Sequence, residues 1–371
     1  MSNISASTSY LIAALTLGHR LEFCKINNLT QVKKARKKDG KKQRESSLES
    51  DFHLDHLVEE VADILYTGQN AAEIMSQTAQ SSSLNKTSAN SLADSDETQG
   101  MSVIVRIEPR RPWLIRSPPG AWRRIVMNLL GNAIKWTKSG FVEVSLSRMR
   151  NPVNPHNPIA HLSVTDTGSG IAPEFLRHKL FSPFAQEDSL SEGVGLGLSI
   201  VRQLVAAFNG HVNVRSEVGI GTQVDVYIPV ELVNGPEASP GSCLSPEGKD
   251  CDSIPPLRAC LVAFNGYPDL QETPTGMLSL ESKRKLSIQS TLADVFMSCF
   301  GWTVSLAETL SKGDGDIAVI EEAVLRKEAT GLDSLEDLAT KHGFKHFVVL
   351  GSNASFFETF LAPNFVWVSQ P

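Results

Sequence analysis

The chain has few cysteines, no metal-ligand spacing among them and no apolar run long enough for a membrane span. Its 5 cysteines are scattered through 371 residues, which gives no basis for a zinc finger and favours a reducing compartment. The longest early apolar run, residues 11–17, is too short to cross a bilayer and lacks the flanking residues of a signal peptide. We therefore expect a soluble intracellular protein.

A dominant charge of one sign is also missing. The formal net charge of -6 gives no whole-protein reason to expect nucleic-acid or membrane-surface binding. The balance is uneven, because residues 33–44 (KKARKKDGKKQR) form a basic run without an apolar anchor. This run favours a flexible linker over 33–50, with a nuclear-import patch or an anion-binding arm as less favoured alternatives.

Low-complexity segments divide the chain. Residues 76–100 are polar and Ser-rich, which predicts a disordered insertion, and residues 233–256 form a Pro/Gly/Ser-rich linker. Elsewhere strand-like alternation and helical spacing follow one another, so we predict an α/β chain with two main domains, 51–232 and 257–371. The hydrophobic content of 41% is enough to give each domain a core.

One predicted helix, within RRIVMNLLGNAIKWTKSG (123–140), carries an unusual polar stripe. Asn128, Asn132 and Lys135 follow one another along one face, beside an apolar stripe. A solvated face is the ordinary explanation for a single asparagine, but asparagine is a poor mid-helix residue. Two of them one turn apart, followed by a lysine, indicate an anionic or metal-bound partner. The apolar stripe consists of Trp122, Ile125, Val126, Leu129, Ala133 and Trp136.

Two glycine-rich turns suggest what that partner is. DTGSGI (166–171) follows a predicted strand, and EGVGLGLSI (192–200) leads into a helix that starts near Leu198. Glycines let backbone N–H groups approach phosphate oxygens, and the positive end of a helix favours the same anion. The Asp166 carboxylate can accept a hydrogen bond from an exocyclic amine, which suits adenine. The sequence contains neither a Gly-Lys-Ser/Thr phosphate loop nor a dinucleotide fingerprint.

Five stretches in this order resemble a known family. NLLGNAIKWT, DTGSGI, FSPFAQ, GVGLGLSIV and GIGTQVDVYIP are similar to the N, G1, F, G2 and terminal Gly-Thr boxes of the histidine kinase ATP-binding domain. The stretch from residue 119 to 144 most resembles fungal hybrid histidine kinases. The resemblance covers Asp51 to Val230 and implies a Bergerat fold, a two-layer α/β sandwich whose mixed sheet carries helices on one face. It also implies ATP and Mg²⁺ as cofactors.

The resemblance assigns roles to the matching polar residues. Asn132 would ligate Mg²⁺ that bridges the phosphates, Asn128 would line the site, and Lys135 would contact a phosphate as a point charge. Asp166 would hydrogen-bond the adenine amine, with Thr222 helping through its hydroxyl or through a water.

Further roles concern the loops around the nucleotide. Phe181 and Phe184 would pack a mobile lid at 185–192, although such a pair more often belongs simply to a core. The residues expected beside the base or at the phosphate-side turn are Gly168, Gly170, Gly193, Gly195, Gly197 and Leu198.

The reaction expected from this site is phosphoryl transfer rather than hydrolysis. Gyrase-type relatives carry a glutamate that activates water where this chain has Asn128, and a neutral amide cannot take that proton. A stand-alone ATPase is therefore disfavoured. No residue is identified with certainty as catalytic. The alternative to a kinase is a pseudokinase or scaffold that binds ATP, or nothing, and acts by association.

The phosphate acceptor is missing from the printed sequence. The family presents a histidine followed by an acidic residue and Arg-Thr-Pro on a dimerisation hairpin, and no such string occurs here. Residues 19–30 resemble the end of the second helix of that hairpin, so 1–32 is predicted to be its remnant. His19, His53 and His56 are poor acceptors, the last two being more simply surface residues of a helix. The expected partners are a histidine-containing hairpin or full-length kinase in trans and downstream phosphorelay proteins.

The segment 257–371 resembles a response-regulator receiver in its alternating pattern. A working receiver needs an acidic pair after its first strand, an aspartate after its third and a lysine before a proline near its last. Here the first strand leads to NGY, Glu321 replaces the aspartate and Gln370 precedes the proline. We therefore predict a small, degenerate receiver-like α/β domain that packs or docks but accepts no phosphate.

Overall fold

A computed structural model of the chain describes residues 49–81, 101–108, 113–187, 194–233, 256–264, 279–328, 338, 341–351 and 365–369. Within these ranges the chain forms two compact units. The first contains residues 49–233 together with a helix at 280–300, and the second contains 257–264 and the part from 303 onward. No helix in the described ranges has the length and apolar character needed to cross a membrane.

The first unit is built from eight strands and five helices within the described ranges. In chain order these are β1 Ser50–His53, α1 Leu54–Ser81, β2 Met101–Ile107, β3 Leu114–Ser117, α2 Pro119–Trp136, β4 Gly140–Met149, β5 Ile159–Asp166, α3 Pro173–His178, α4 Gly197–Ala207, β6 His211–Glu217, β7 Gly221–Pro229, β8 Glu231–Leu232 and α5 Leu280–Phe300.

The main sheet of this unit is mixed, as predicted. Its strand order is β2-β4-β5-β7-β6, in which β2 and β4 are parallel and the other neighbours are antiparallel. Register places Asp166 at the end of β5 directly beside Thr222 of β7. A second, small sheet has β3 between β1 and β8. Strand pairing alone therefore places the last residue of β5 beside the start of β7.

The core lies between one face of the main sheet and the helices α1, α2 and α4. Side chains alternate along a strand, so Val142, Val144 and Leu146 of β4 all point into this core and are buried. The apolar stripe of α2 is buried as predicted from Trp122 to Ala133, but Trp136 is 42% exposed. Trp136 is the last residue of the helix, where the sheet no longer covers it.

Several predicted segment boundaries can be compared with the structure. Helix α1 continues to Ser81, six residues into the stretch 76–100 predicted to be a disordered insertion. The rest of that insertion, the segment 1–48 with the predicted hairpin remnant and most of the basic linker, and most of the 233–256 linker lie outside the described residues. Near the end of this unit β6 and β7 form an antiparallel β-hairpin.

Helix α5 contacts the opposite face of the main sheet, at β2 and β4. The Arg106 guanidinium bonds the Asp294 carboxylate at 2.6 Å, and the Ser287 hydroxyl donates to the Glu143 carboxylate. On the same face, by strand alternation, Ile104 and Phe141 are buried. The sequence analysis placed this helix in the domain 257–371. The structure instead groups it with the first unit, because its polar side chains pair with those of β2 and β4.

The second unit is a parallel sheet. Its elements are β9 Arg258–Val262, β10 Thr303–Ala307, a 3₁₀ helix Leu310–Lys312, β11 Ile317–Glu321, α6 Glu322–Glu328, β12 His346–Gly351 and β13 Phe365–Ser369. The strand order is β10-β9-β11-β12-β13, which in chain order is 2-1-3-4-5, the doubly wound order of flavodoxin-like folds. Its core includes Val262, Ile320, Phe347 and Val349. The strands predicted from the apolar runs are therefore present.

Asp225 is a buried carboxylate on β7 that holds several polar side chains together. Its Oδ1 lies 3.0 Å from His161 Nε2, and its Oδ2 accepts from Arg215 at 3.0 Å, while Gln223 Nε2 donates to both oxygens. Burial raises the pKa of Asp225, but hydrogen bonds from His161, Ser163, Arg215 and Gln223 outweigh it and hold the pKa below the usual 3.8. The ionised form is therefore favoured by folding.

We expect Asp225→Ala to destabilise the first unit by about 1–3 kcal/mol at pH 7, because the donors around this buried carboxylate lose their acceptor. Because the folded pKa is depressed, the native contribution is present above about pH 3.8 and is lost as the pH falls through the folded pKa. Urea unfolding at pH 7 and pH 3 measures this, with Asp225→Asn as the matched variant that keeps an acceptor without the charge. An equal loss of stability in Asp225→Ala at both pH values would contradict the account.

Candidate functional site

A cavity of about 590 Å³ opens in the first unit, between α2, the end of β5 and the start of α4. Of the thirteen site residues expected from the sequence, nine line it: Asn128, Asn132, Lys135, Asp166, Gly170, Gly195, Gly197, Leu198 and Thr222. Residues from four separate stretches of sequence are thus brought together in one place.

Asp166 is held by the backbone at one end of the cavity. Its Oδ1 accepts from the Gly168 N–H at 2.9 Å and from the Thr222 N–H at 3.2 Å, and neither bond uses Oδ2. Burial raises the pKa of the Asp166 carboxyl above 3.8, although the two N–H donors act to lower it. The ionised carboxylate is therefore fixed in orientation, but its two hydrogen bonds do not offset the cost of its burial. A ligand that donates a further hydrogen bond to it would reduce that desolvation cost.

The asparagine stripe of α2 faces the beginning of α4. Asn128 Nδ2 donates to the Arg124 carbonyl at 2.7 Å, which fixes the side chain. A Cβ at Gly197 would lie 2.8 Å from Asn128 Oδ1 and 3.7 Å from Asn132 Nδ2, so glycine allows α4 to begin against the two amides. The first N–H groups of a helix are unpaired within it and carry its positive end. Amide groups and helix end together suit a phosphate accompanied by a cation.

Lys135 extends this polar side of the cavity by one more turn of α2. It lines the cavity, is exposed, and its Nζ lies 4.8 Å from the centre of the Trp136 ring. The aromatic ring therefore limits where the ammonium group points. This exposed ammonium adds a positive point charge to the polar side of the cavity.

The glycine turn is tied to the segment with the two phenylalanines. Gly195 has φ +72°, and its carbonyl accepts from the Phe184 N–H at 3.0 Å. Phe184 itself is 71% exposed, and Phe181 lies under the Arg202 guanidinium, 5.4 Å from the ring centre. Neither ring lines the cavity, so the lid packing predicted for them is not seen in the described part of the chain. The predicted lid is described only at 185–187, and Gly193 lies outside the described residues.

Gly168 contributes by its lack of a side chain rather than by lining the cavity. A Cβ at this position would lie 2.4 Å from the Trp136 carbonyl oxygen, so only glycine lets the loop pass the end of α2. Its N–H then reaches Asp166. Gly168 was expected to leave room beside the base. In the structure its lack of a side chain instead leaves room for the end of α2.

The sequence analysis missed the apolar walls of the cavity. Val164, Val214 and Val224 of the sheet and Phe175 and Leu180 around α3 all line it. The alternation along β5, β6 and β7 could have identified the valines, because those positions face the core. No motif marks the segment around α3. Apolar walls with a fixed carboxylate at one end are what a planar base with an amine requires.

Comparison with known proteins defines the class of this domain. Residues 119–232 match the family model described as Histidine kinase-, DNA gyrase B-, and HSP90-like ATPase. Over 146 residues the chain is 37% identical to the Autoinducer 2 sensor kinase/phosphatase LuxQ of Vibrio cholerae, covering 38% of this chain and 16% of that protein. Over 143 residues it is 36% identical to Hybrid signal transduction histidine kinase A of Dictyostelium discoideum, covering 36% of this chain and 7% of that protein.

A solved structure supports the fold. Full-length ShkA in complex with AMPPNP is similar to 90% of this chain, with a TM-score of 0.53 and 22% sequence identity over 56% of that chain. At this identity the likeness is one of fold. Residues 119–232 are therefore similar to the ATPase domain shared by histidine kinases, DNA gyrase B and HSP90, and this part of the chain is similar to part of the hybrid sensor kinases. This chain matches 16% and 7% of the lengths of the two curated relatives, a small part of each.

Proposed function

We propose that the first unit binds Mg-ATP in its cavity and transfers the γ-phosphoryl group to a protein histidine, as the catalytic domain of a fungal-type hybrid histidine kinase. The observation that carries this is the meeting of a fixed carboxylate, two helix amides and a helix N-terminus around one apolar-walled cavity. The homology of this segment to histidine kinases supports the same reaction class.

Each end of the nucleotide finds a matching part of the cavity. The Asp166 Oδ2 would accept from the adenine amine while Oδ1 stays bonded to the backbone. The start of α4 would direct its unpaired N–H groups at the phosphates, and Lys135 would contribute a positive charge. Phosphoryl transfer depends on positioning and charge stabilisation rather than on covalent catalysis by the protein, and these groups would provide both.

Asn132 is the residue that would hold Mg²⁺. An amide oxygen is among the oxygen ligands that Mg²⁺ accepts, and Mg²⁺ usually takes few protein ligands beside phosphate oxygens and water. When bound, the ion neutralises charge that builds up on the phosphate oxygens. Asn132 lines the cavity close to the start of α4, so its side chain fits that role.

Asn128 favours transfer over hydrolysis. A water-activating group must accept a proton, and the Asn128 amide cannot do so. Its Nδ2 is moreover bonded to the Arg124 carbonyl. Bound ATP would therefore stay intact until an acceptor histidine arrives.

We propose that this acceptor belongs to a dimerisation hairpin supplied in trans, and that phosphate then passes to downstream phosphorelay proteins. The second unit would act as a degenerate receiver, because β11 ends on Glu321 and the chain lacks the acidic pair and lysine of a working one. Its parallel 2-1-3-4-5 sheet supports a receiver-like fold, with a docking role instead of phosphate acceptance. We propose a cytoplasmic location, which the scattered cysteines favour.

The proposed function predicts transfer in trans and no self-labelling. Purified chain is incubated with Mg²⁺ and γ-labelled ATP, alone or with an isolated hybrid-kinase hairpin that keeps its acceptor histidine, and a His→Gln hairpin serves as control. We expect acid-labile, base-stable phosphate on the intact hairpin only. ATP binding without transfer to any hairpin would favour the scaffold alternative, and steady release of phosphate would favour an ATPase.

A further inference from the structure

Three potential metal ligands lie together where β1 meets α1, away from the residues that line the nucleotide cavity. The ligand atoms of His53, Asp55 and His56 all lie within 4.8 Å of one another. The two imidazole rings stack, with centroids 4.8 Å apart and planes inclined by 24°. His53 Nδ1 lies 3.7 Å from Asp55 Oδ1. Two imidazoles and a carboxylate are the donor set of many transition-metal sites.

One oxygen of the Asp55 carboxylate, Oδ1, is buried without a hydrogen-bond donor among the described residues. An acceptor oxygen that is withdrawn from water without a partner is costly, and His53 Nδ1, at 3.7 Å, is too distant to supply a hydrogen bond. A cation placed between the two groups would satisfy the oxygen.

The backbone holds the three positions in place independently of any metal. The strand β1 pairs with β3, so that His53 lies opposite Leu114, and the Leu54 N–H donates to the Trp113 carbonyl at 3.0 Å. The next helical turn is anchored by Leu57, which is buried. Anchoring these apolar residues leaves the three polar side chains on the outside of the junction.

We propose that His53, Asp55 and His56 bind a divalent transition metal ion, best represented by Zn²⁺, through two nitrogens and one oxygen. Ligand bonds of about 2.0–2.2 Å in a tetrahedron place donor atoms roughly 3.3 Å apart. The separation of 3.7 Å between His53 and Asp55 is already near this value, and partly exposed side chains need only small rotations to close the rest. Water completes the coordination.

Binding would fasten β1 to the first turn of α1. His53 belongs to the strand, while the other two ligands belong to the helix, so one ion links both elements. A ligand that binds only the folded state stabilises that state in proportion to its concentration over its Kd. This role is separate from ATP binding, because none of the three residues lines the nucleotide cavity.

The competing explanation is an ordinary surface cluster. An aspartate in the first turn of a helix is favourable without any metal, because it faces the positive end of the helix. The two explanations differ in stoichiometry and in residue dependence. A built site binds one ion and loses it when either histidine is removed, whereas a surface cluster does neither.

The test is a calorimetric titration of the tag-free full chain with Zn²⁺ in the absence of nucleotide. We expect one ion per chain, raised thermal stability, and affinity lowered about 100-fold or more in His53→Ala and His56→Ala, since even outer-shell losses cost about 10–100-fold. His156→Ala, which removes an exposed histidine from the β4–β5 connection, should bind as wild type.

Co²⁺ gives a second readout that does not depend on stability. We expect a visible absorption band of low-symmetry Co²⁺ that disappears in the double variant His53→Ala/His56→Ala. Saturation without defined stoichiometry, or wild-type affinity in the double variant, would overturn the proposal. Because ATP is absent throughout, failure here would leave the proposed kinase function untouched.

Discussion

Replacing Gly170 by alanine should destabilise the first unit by about 2–5 kcal/mol, the sum of a left-handed backbone and steric overlap. Gly170 has φ +69° and lies in the loop that follows Asp166. A Cβ there would lie 2.1 Å from the Glu217 carbonyl oxygen, 2.6 Å from its carbon and 2.9 Å from Val218 Cα. These are backbone atoms of the β6–β7 turn, so no side-chain rotation can relieve the overlap.

The same substitution should abolish measurable ATP binding. The loop is joined to that turn by the Gly219 N–H, which donates to the Ser169 carbonyl at 2.8 Å, and by the Ile171 N–H, which donates to the Ser216 hydroxyl at 2.8 Å. Displacement of Gly170 therefore moves Ile171, which also lines the cavity. Urea unfolding and nucleotide titration measure the two effects.

Gly219→Ala is the matched control for this prediction. Gly219 also has a positive φ, +79°, but a Cβ there would meet nothing within 4 Å. It should therefore show only the backbone penalty, about 1–2 kcal/mol, and keep ATP binding. Equal losses in the two variants would mean that steric overlap at Gly170 is not the cause.

Asp166→Asn should weaken ATP binding by about 1.5–3 kcal/mol, the value of a charge-assisted hydrogen bond. The asparagine oxygen can still accept from the Gly168 and Thr222 N–H groups, which leaves its NH₂ facing the cavity. There it would meet the adenine amine, donor against donor. Isothermal titration with ATP and GTP checks the cause. Guanine presents a carbonyl oxygen where adenine presents the amine, so the preference for ATP should collapse.

The Asp166→Asn substitution should weaken ATP binding without lowering the free energy of unfolding of the first unit. Burial raises the pKa of this carboxyl, so the ionised form opposes folding, and stability is lost as the pH rises from 3.8 through the folded pKa. A neutral amide removes that penalty at pH 7. We therefore expect the variant to unfold at the same or a higher urea concentration than wild type. Weaker binding together with lower stability would indicate a disrupted loop rather than a lost hydrogen bond.

The sequence predicted those parts of the site that depend on local chemistry. Asn128 and Asn132 share a helix face by spacing alone, and Asp166 follows from a strand that ends in a glycine turn. The prediction that these residues converge on one site depended on the family resemblance, because hydrophobic periodicity does not show which strands are neighbours. The register that sets Thr222 beside Asp166 is a property of the folded sheet.

Other features depend on tertiary contacts that leave no local signal. Phe184 is exposed and its N–H is bonded to the Gly195 carbonyl, and nothing in FSPFAQ indicates either feature. The histidines at 53 and 56 looked like ordinary surface residues of a helix, because the burial of Asp55 Oδ1 and the position of His53 in β1 appear only in three dimensions. The pairing of α5 with β2 and β4 joins residues too far apart in the chain for any window to reveal.

That pairing has a consequence for biosynthesis. Glu143 and Ser287 are 144 residues apart, and Arg106 and Asp294 are 188 residues apart. At about 5–20 residues per second, a ribosome needs roughly 7–30 s to go from the first of these positions in β4 to its partner. During that interval Ile104 and Phe141 of the nascent chain have no α5 to cover them. The emerging sheet therefore offers an apolar face to chaperones until translation passes residue 300.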